Sequence, residues 1–115
     1  MPSTRRVQVL GYSLQTHWVM DFGRKHNVNP EGVKSSFACL VDSVELIRDE
    51  LKKAGIYAFV HRPHHAPVSV TAHIGVASNW LPLIRGSTNK ALVHARVEKL
   101  KKFLDTTDEP QWTDL

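Results

Sequence analysis

One apolar stripe of helical spacing constrains this chain more than any other feature. Between residues 30 and 54, apolar residues recur at alternating intervals of four and three, as on one face of an α-helix. They are Val33, Phe37, Leu40, Val44, Ile47, Leu51 and Ala54. Asn29 before Pro30 is a typical helix start, and Gly55 is a typical stop. We therefore predict a long helix over 30–54 that packs against a sheet, with an overhang available for a homodimer.

The stretch that follows the helix, Ile56 to Val76, has the residue alternation of a β-hairpin. If Val60 pairs with Val70, one face is wholly apolar. That face would carry Ile56, Ala58, Val60, Val70, Ala72 and Ile74. The opposite face would pair Tyr57 with His73, Phe59 with Thr71, and His61 with Ser69. The first face is predicted to join the core, and the second is the natural place for a site.

The remaining segments complete an α+β pattern. Residues 5–14 have the β-branched and aromatic content of a strand, residues 15–26 that of a short helix, and a capped, striped helix ends at Leu104. The predicted order is strand, helix, helix, strand, strand, helix (βααββα), with a three-stranded, mainly antiparallel sheet packed against helices. We expect one domain over 1–104 and an acidic, flexible tail over 105–115.

The charge is distributed unevenly along the chain. All 15 Lys and Arg residues precede Asp105, whereas four of the 11 acidic residues lie in the tail: Asp105, Asp108, Glu109 and Asp114. The net charge of +4 therefore understates how basic the rest of the chain is. Such a surplus is compatible with a nucleic acid or another phosphate-bearing partner, or simply with solubility. With no apolar run of ~20 residues and no leader pattern, we expect a cytoplasmic protein without a membrane partner.

Four of the seven histidines fall within the predicted hairpin: His61, His64, His65 and His73. Neutral imidazole is a common general base and a common ligand of divalent transition metals. His61 and His73 would share a face, and His64 and His65 would lie at the PHHAP turn, so the four are candidate metal ligands. Solvated turn histidines and hydrogen-bonded strand histidines explain the same pattern without a metal. The cofactor is therefore unknown, and a divalent metal is expected only if these histidines are functional.

Two short stretches resemble nuclease motifs. PHHAP followed by Asn79 and by NWLPLIRGSTNK resembles the His-Asn-His nucleases. That resemblance implies that His65 activates water, that His64 and Asn89 hold a metal, and that Asn79 braces a loop. The segment VSVTAHIGV departs from it, because it has the pattern of a strand rather than an irregular loop. GIY at residues 55–57 and HIG at residues 73–75 resemble the GIY-YIG nucleases, with a histidine in place of the second tyrosine.

The predicted order of elements resembles that of type I KH domains, a family that binds single-stranded nucleic acid. That family uses a GxxG loop between its first two helices. The corresponding connection here, residues 27–32, reads NVNPEG and contains no GxxG. The resemblance implies the fold, but the family's usual binding loop is not present in this sequence.

Three functional hypotheses follow from the residues. The first is a non-catalytic binding module for nucleic acid or another phosphate-bearing ligand. Its candidate ligand-binding residues are Tyr57, Phe59, His61, Arg62, His73 and Arg85. The second is a metal-dependent phosphodiester hydrolase with His64 and His65 as catalytic residues. The third is a protein-interaction or inhibitor module that uses helix 30–54 and the acidic tail.

Overall fold

The chain forms an antiparallel sheet with helices packed on one face, which confirms the α+β class. A computed structural model describes residues 6–62 and 69–115. Within these ranges the elements are β1 (Gln8–Gln15), α1 (Thr16–Lys25), α2 (Ser36–Lys53), β2 (Phe59–His61), β3 (Val70–Ser78), α3 (Lys90–Leu104) and β4 (Gln111–Asp114). The strands are arranged in the order β2-β3-β1-β4. The first six elements follow the predicted order.

The sheet has four strands rather than the predicted three, because part of the expected tail pairs with β1. Gln8 lies opposite Asp114, and Leu10 lies opposite Trp112. The side chains reinforce this pairing at the edge, since the Arg6 guanidinium donates to the Asp114 carboxylate at 2.9 Å. Single-sequence periodicity missed β4 because a strand of four residues carries almost no pattern.

Helix α2 begins at Ser36, six residues after the predicted start. The Ser35 hydroxyl accepts a hydrogen bond from the Ala38 amide and caps the helix. The predicted cap, Asn29, instead accepts from the Lys34 amide and closes a turn. Residues at the beginning of the predicted stripe are consequently exposed: Val33 is 78% exposed and Phe37 66%.

The core lies between one face of the sheet and all three helices. Ala72, Ile74 and Val76 of β3 alternate into it. They meet Val19 of α1, Ile47 and Leu51 of α2, and Val97 and Leu100 of α3. Because β-strand side chains alternate between faces, His73 and Gly75 point to the opposite side, the outer face of the sheet. Val9 and Ile84, both buried, reach that outer face beside Gly75.

The hairpin keeps its predicted faces but not its predicted register. Val60 pairs with Ile74 rather than Val70, and His61 pairs with His73 rather than Ser69. On its other edge β3 pairs with β1, with Ala72 opposite Leu14. Since the shift is an even number of residues, the apolar face stays apolar. Alternation set the faces, but it does not distinguish registers that differ by an even number of residues.

A bulge interrupts the pairing of β1 with β3. Leu10 pairs with Ala77 and Gly11 pairs with Gly75, so Val76 is an extra residue without a partner in β1. Gly11 permits this approach, because a Cβ there would lie 1.8 Å from the carbonyl oxygen of Ile74. Any larger residue would have to push the two central strands apart.

Replacing Gly11 with alanine should therefore destabilise the fold. We expect the Gly11→Ala substitution to lower the free energy of unfolding by about 3 kcal/mol, measured by urea denaturation, because the added methyl group meets backbone. Gly32→Ala is the matched control. Gly32 has a φ of +69° and open space around its Cβ position, so only backbone strain of about 1 kcal/mol applies. Equal losses in the two variants would contradict the close approach at Gly11.

Candidate ligand-binding surface

The contact between Arg96 and Tyr57 is the centre of the candidate surface. Tyr57 lies between the end of α2 and the start of β2, and Arg96 lies in α3. The guanidinium carbon of Arg96 is 4.5 Å from the centre of the Tyr57 ring. A cation in this position is attracted by the negative face of the ring. Arg96 is only 8% exposed, whereas Tyr57 is 52% exposed.

The bulge explains why Arg96 lies there. Its Nη1 donates to the carbonyl oxygen of Val76 at 3.2 Å. Val76 has no register partner in β1, and the pairing of β2 with β3 ends at Gly75. Arg96 thus binds the β3 backbone at the residue where the pairing with β1 is interrupted. Its Nε is buried and has no hydrogen-bond partner within residues 6–62 and 69–115.

Two further basic residues contact the same tyrosine or the turn before it, Arg85 through its backbone amide and Lys99 through its ammonium group. The Arg85 amide approaches the Tyr57 hydroxyl at 3.4 Å. The Lys99 ammonium donates to the carbonyl oxygen of Gly55 at 3.5 Å. Tyr57, Arg85, Arg96 and Lys99 are called the Tyr57 cluster below. The structure therefore brings two predicted site residues, Tyr57 and Arg85, into contact and adds two cations to them.

The positive charge of the Tyr57 cluster is not balanced by the carboxylates whose positions are described. Arg85, Arg96 and Lys99 take part in none of the ion pairs within those ranges. Within the same ranges, six other lysines and arginines form ion pairs, as Lys34 does with Asp42 at 2.6 Å, whereas Lys25, Lys52, Arg62, Lys90 and Lys102 form none. A buried cation usually has a carboxylate partner, because its desolvation is costly. The Tyr57 cluster thus combines an aromatic ring with three basic residues that form no ion pair in those ranges.

The other predicted residues form a row of rings on the outer face of the sheet. Phe59 stacks on His61 with ring centroids 5.3 Å apart, and His61 stacks on His73 at 5.5 Å. The Ser13 hydroxyl lies 3.4 Å from a ring nitrogen of His73. Arg62 follows at the end of β2 and is exposed. We call Phe59, His61 and His73 the ring row.

Both histidines of the ring row are buried and favour the neutral form. Burial, and to a lesser degree the neighbouring His73, lowers the pKa of His61 from 6.5 to about 4. Burial also lowers the pKa of His73. Neither ring nitrogen of His61 has a hydrogen-bond partner in the described part of the chain. Neutral, unpaired imidazole nitrogens can bind a ligand or a metal, and each pairing would offset their desolvation.

The structure describes two of the four histidines that were predicted as metal ligands. His61 and His73 lie side by side, while His64 and His65 lie outside the described residues. Within residues 6–62 and 69–115, no three His, Cys, Asp or Glu side chains are grouped closely enough to hold a metal ion. A metal at the ring row would therefore need ligands from beyond these ranges.

The two asparagines implicated by the nuclease resemblance have structural contacts. The Asn79 carbonyl oxygen accepts from the Gln8 amide at 2.8 Å, and its amide donates to the carbonyl oxygen of Arg6. Asn79 thus braces the loop after β3 against β1. Asn89 caps α3 by accepting from the Leu92 amide at 3.1 Å.

Sequence analysis missed the role of Arg96. Arg96 is not among the candidate site residues named from the sequence, yet it lies among buried residues. A signal was available, because Arg96 lies three residues after Val93 and four before Leu100, beside the apolar stripe. Spacing could have indicated a half-buried arginine, but only the bulge in β3 supplies the carbonyl that Arg96 binds.

Comparisons with known proteins give no relative for this chain. No protein-family model, no curated protein and no solved structure matches it. In the parts of the chain that are described, none of the helices combines the length and apolar character needed to cross a membrane.

The buried, neutral His61 predicts a specific loss of stability in acid. As the pH falls from 6.5 towards about 4, residue 61 takes up a proton in the unfolded chain but not in the folded one. The free energy of unfolding should therefore fall by roughly 3 kcal/mol over this range because of His61. The His61→Phe variant should lose that part of the pH dependence in urea denaturation at pH 7 and at the acid end.

A matched control is His17→Phe, which makes the same change at an exposed position and should keep the wild-type pH dependence. If His61→Phe and the wild type lose stability equally in acid, His61 is not buried in its neutral form.

Proposed function

We propose that this protein is a non-catalytic module that binds single-stranded nucleic acid through the Tyr57 cluster. The observation that carries the proposal is the Arg96 guanidinium, buried against Tyr57 without a carboxylate partner among the described residues. A phosphate group beside Arg85 and Lys99 would provide the missing negative charge. Arg96 itself contacts one face of the Tyr57 ring and holds the ring in position.

The exposed part of Tyr57 suits a nucleobase. Arg96 covers one face of the ring, and about half of the side chain remains accessible. Base stacking on an exposed aromatic ring contributes about 1–3 kcal/mol, and it tolerates any base because every base has a π face. A tyrosine flanked by cations is therefore typical of binding that depends on the backbone and on stacking more than on sequence.

The position of the acidic C-terminal segment also supports the proposal. β4 lies at one edge of the sheet and β2, which follows Tyr57, at the other. The acidic groups near β4 are paired locally, Asp114 with Arg6 and Glu109 with Lys101. Their pairing and position leave the positive field around Tyr57 largely uncompensated. Long-range attraction of a polyanion would thus be directed to the β2 edge.

We favour binding over catalysis at this surface because of its side chains. Tyr57, Arg85, Arg96 and Lys99 include no carboxylate and no imidazole, the groups that most often act as general bases in phosphodiester hydrolysis. Arginine and lysine neutralise phosphate charge, and the tyrosine ring stacks on a nucleobase. This composition is suited to holding a strand.

A second candidate function is metal-dependent phosphodiester hydrolysis, favoured by the direct pairing of His61 with His73. It requires a metal held with help from His64 or His65. Elemental analysis and a cleavage assay with added divalent metals test it. Activity that survives the double substitution His64→Ala/His65→Ala would remove those two residues from the mechanism.

Nucleic-acid binding is tested with fluorescently labelled single-stranded DNA and RNA, by anisotropy at increasing salt. We expect the affinity to fall steeply as salt rises, because phosphate binding releases counterions. Arg85→Gln and Lys99→Gln should each reduce the slope of log affinity against log salt by about 1. Tyr57→Leu should weaken binding by about fivefold or more, since it removes the stacking platform.

Lys25→Gln serves as the control. It removes one exposed positive charge from α1, which lies outside the Tyr57 cluster. If Lys25→Gln weakens binding as much as Arg85→Gln does, the nucleic acid is attracted by the overall positive charge of the surface and not by the Tyr57 cluster. Undetectable binding of both DNA and RNA at low ionic strength would refute the proposed function.

A further inference from the structure

The strand β4 lies at one edge of the sheet, and one side of its backbone is free. It pairs with β1 on its inner side, and no further strand pairs with it within residues 6–62 and 69–115. Three of its four residues are exposed: Gln111, Trp112 and Asp114. The strand contains no lysine, arginine, proline or bulge. Proteins commonly use these features to prevent an edge strand from pairing with another chain, so β4 is accessible to a further strand.

The pattern of hydrogen bonds shows which backbone groups of this edge are free. The Leu115 amide donates to the carbonyl oxygen of Val7 at 2.9 Å, which continues the register of β4 against β1. Along an antiparallel pair, every second residue turns its N–H and C=O groups towards the neighbouring strand. Thr113 therefore also faces β1, whereas the backbone groups of Trp112 and Asp114 point away from the sheet. Each of these two residues offers one donor and one acceptor to a strand that approaches the edge.

Trp112 places a large apolar side chain beside these free backbone groups. Its ring is on the helix side of the sheet, where it borders an open groove together with Leu10 of β1 and Val93 of α3. Trp112 is nevertheless 51% exposed. Tryptophan is enriched at the cores of protein–protein interfaces, because it buries a large area on association. Both the backbone and the side chain of β4 are thus available for contact with a partner.

The charges near β4 do not oppose the approach of a second copy of the chain. The Asp114 carboxylate is neutralised within its own chain by Arg6 and also accepts from the Gln8 amide nitrogen. Glu109, which precedes the strand, pairs with Lys101 at 2.9 Å. Two β4 edges can therefore meet without bringing unpaired carboxylates of these residues together.

An antiparallel edge is complementary to itself, and the pleat of the strand limits how two copies can pair. Residues that face each other across two strands have their side chains on the same side of the sheet. A two-fold axis perpendicular to the sheet also keeps every side chain on its own side. A residue of β4 can then face only its own copy or a residue an even number of positions away.

The register centred on Trp112 satisfies this condition and uses the free groups. Each Trp112 amide would donate to the Trp112 carbonyl oxygen of the other copy, and the two rings would lie side by side on the helix side of the sheet. Directly opposed aromatic side chains stabilise a strand pair. The Asp114 amide would meet the Pro110 carbonyl oxygen of the other copy, so the proline limits the length of the pairing and leaves its centre intact.

We propose that β4 is a dimerisation edge, at which two copies of this chain pair antiparallel about a two-fold axis through Trp112 and form one eight-stranded sheet. Tyr57 precedes β2, which lies at the opposite edge, so both Tyr57 clusters would remain at the outer ends of the dimer. The contact differs from the overhang of helix 30–54 that the sequence suggested. The proposal does not rest on nucleic-acid binding, because the dimer is measured without nucleic acid.

Analytical ultracentrifugation of the full chain over a range of concentrations tests the dimer. Two four-residue strands form a small interface, so we expect a dissociation constant of about 10–100 μM. Trp112→Lys should weaken dimerisation by about tenfold or more, because it places two ammonium groups opposite each other at the edge. Trp112→Phe retains an aromatic pair and should stay within about threefold of the wild type.

Trp80→Lys is the matched control, because it makes the same change in the loop after β3 at a residue that is 53% exposed. It should leave the dissociation constant unchanged.

Hydrogen exchange followed by NMR gives a second test, which needs no variant. Raising the protein concentration should slow exchange of the Trp112 amide, since that amide gains a partner only in the dimer. The Thr113 amide faces β1 in both states and should change much less. This alternation distinguishes edge pairing from any dimer contact made by side chains alone.

A chain that stays monomeric up to about 1 mM would overturn the proposal, and the free edge would then be left to a strand of a different protein. Equal effects of Trp112→Lys and Trp80→Lys would also overturn it. So would a dimer that Phe37→Lys dissociates and Trp112→Lys does not, because the exposed beginning of α2 would then form the contact. Arg85→Gln, which tests nucleic-acid binding, should leave dimerisation unchanged.

Discussion

The irregular pairing of β1 with β3 is the constraint on which the candidate surface depends. Gly11 lets the two strands approach closely, and Val76 is left without a partner in β1. At this bulge the Arg96 guanidinium, from α3, donates a hydrogen bond to the carbonyl oxygen of Val76. The same guanidinium then lies against the Tyr57 ring. A local defect in the sheet therefore determines where a buried cation and an exposed aromatic ring come together.

The sheet topology also separates the charges of the chain. The N-terminal strand lies in the interior of the sheet, and the C-terminal segment pairs with it at the edge opposite β2. Asp114 and Glu109 pair there with Arg6 and Lys101, while Arg96, Lys99 and the backbone of Arg85 contact Tyr57 or the turn before it. Strand order, rather than composition, converts a modest net charge into a basic edge and a neutralised edge.

The two faces of the hairpin have different consequences. The apolar face packs into the core with Ile74 at its centre, as alternation predicts. On the outer face, Phe59, His61 and His73 stack in a row with the imidazoles neutral and His61 unpaired. Buried polar groups without partners are uncommon in proteins, and they are reasonable places to look for a ligand. Here the unpaired imidazole lies on the outer face of the sheet, opposite the face that packs against the helices.

The sequence by itself determined the α+β class, the order of the first six elements and which hairpin residues face the core. These follow from local periodicity, because residue spacing in a helix or strand assigns each side chain to a face. Three other features depended on tertiary structure, because the periodicity of the sequence carries no information about them. Alternation could not distinguish hairpin registers that differ by an even number of residues, the short β4 joined the sheet because β1 offered an edge, and Arg96 is buried where it binds the β3 backbone at the bulge. Each of these depends on residues far apart in the chain.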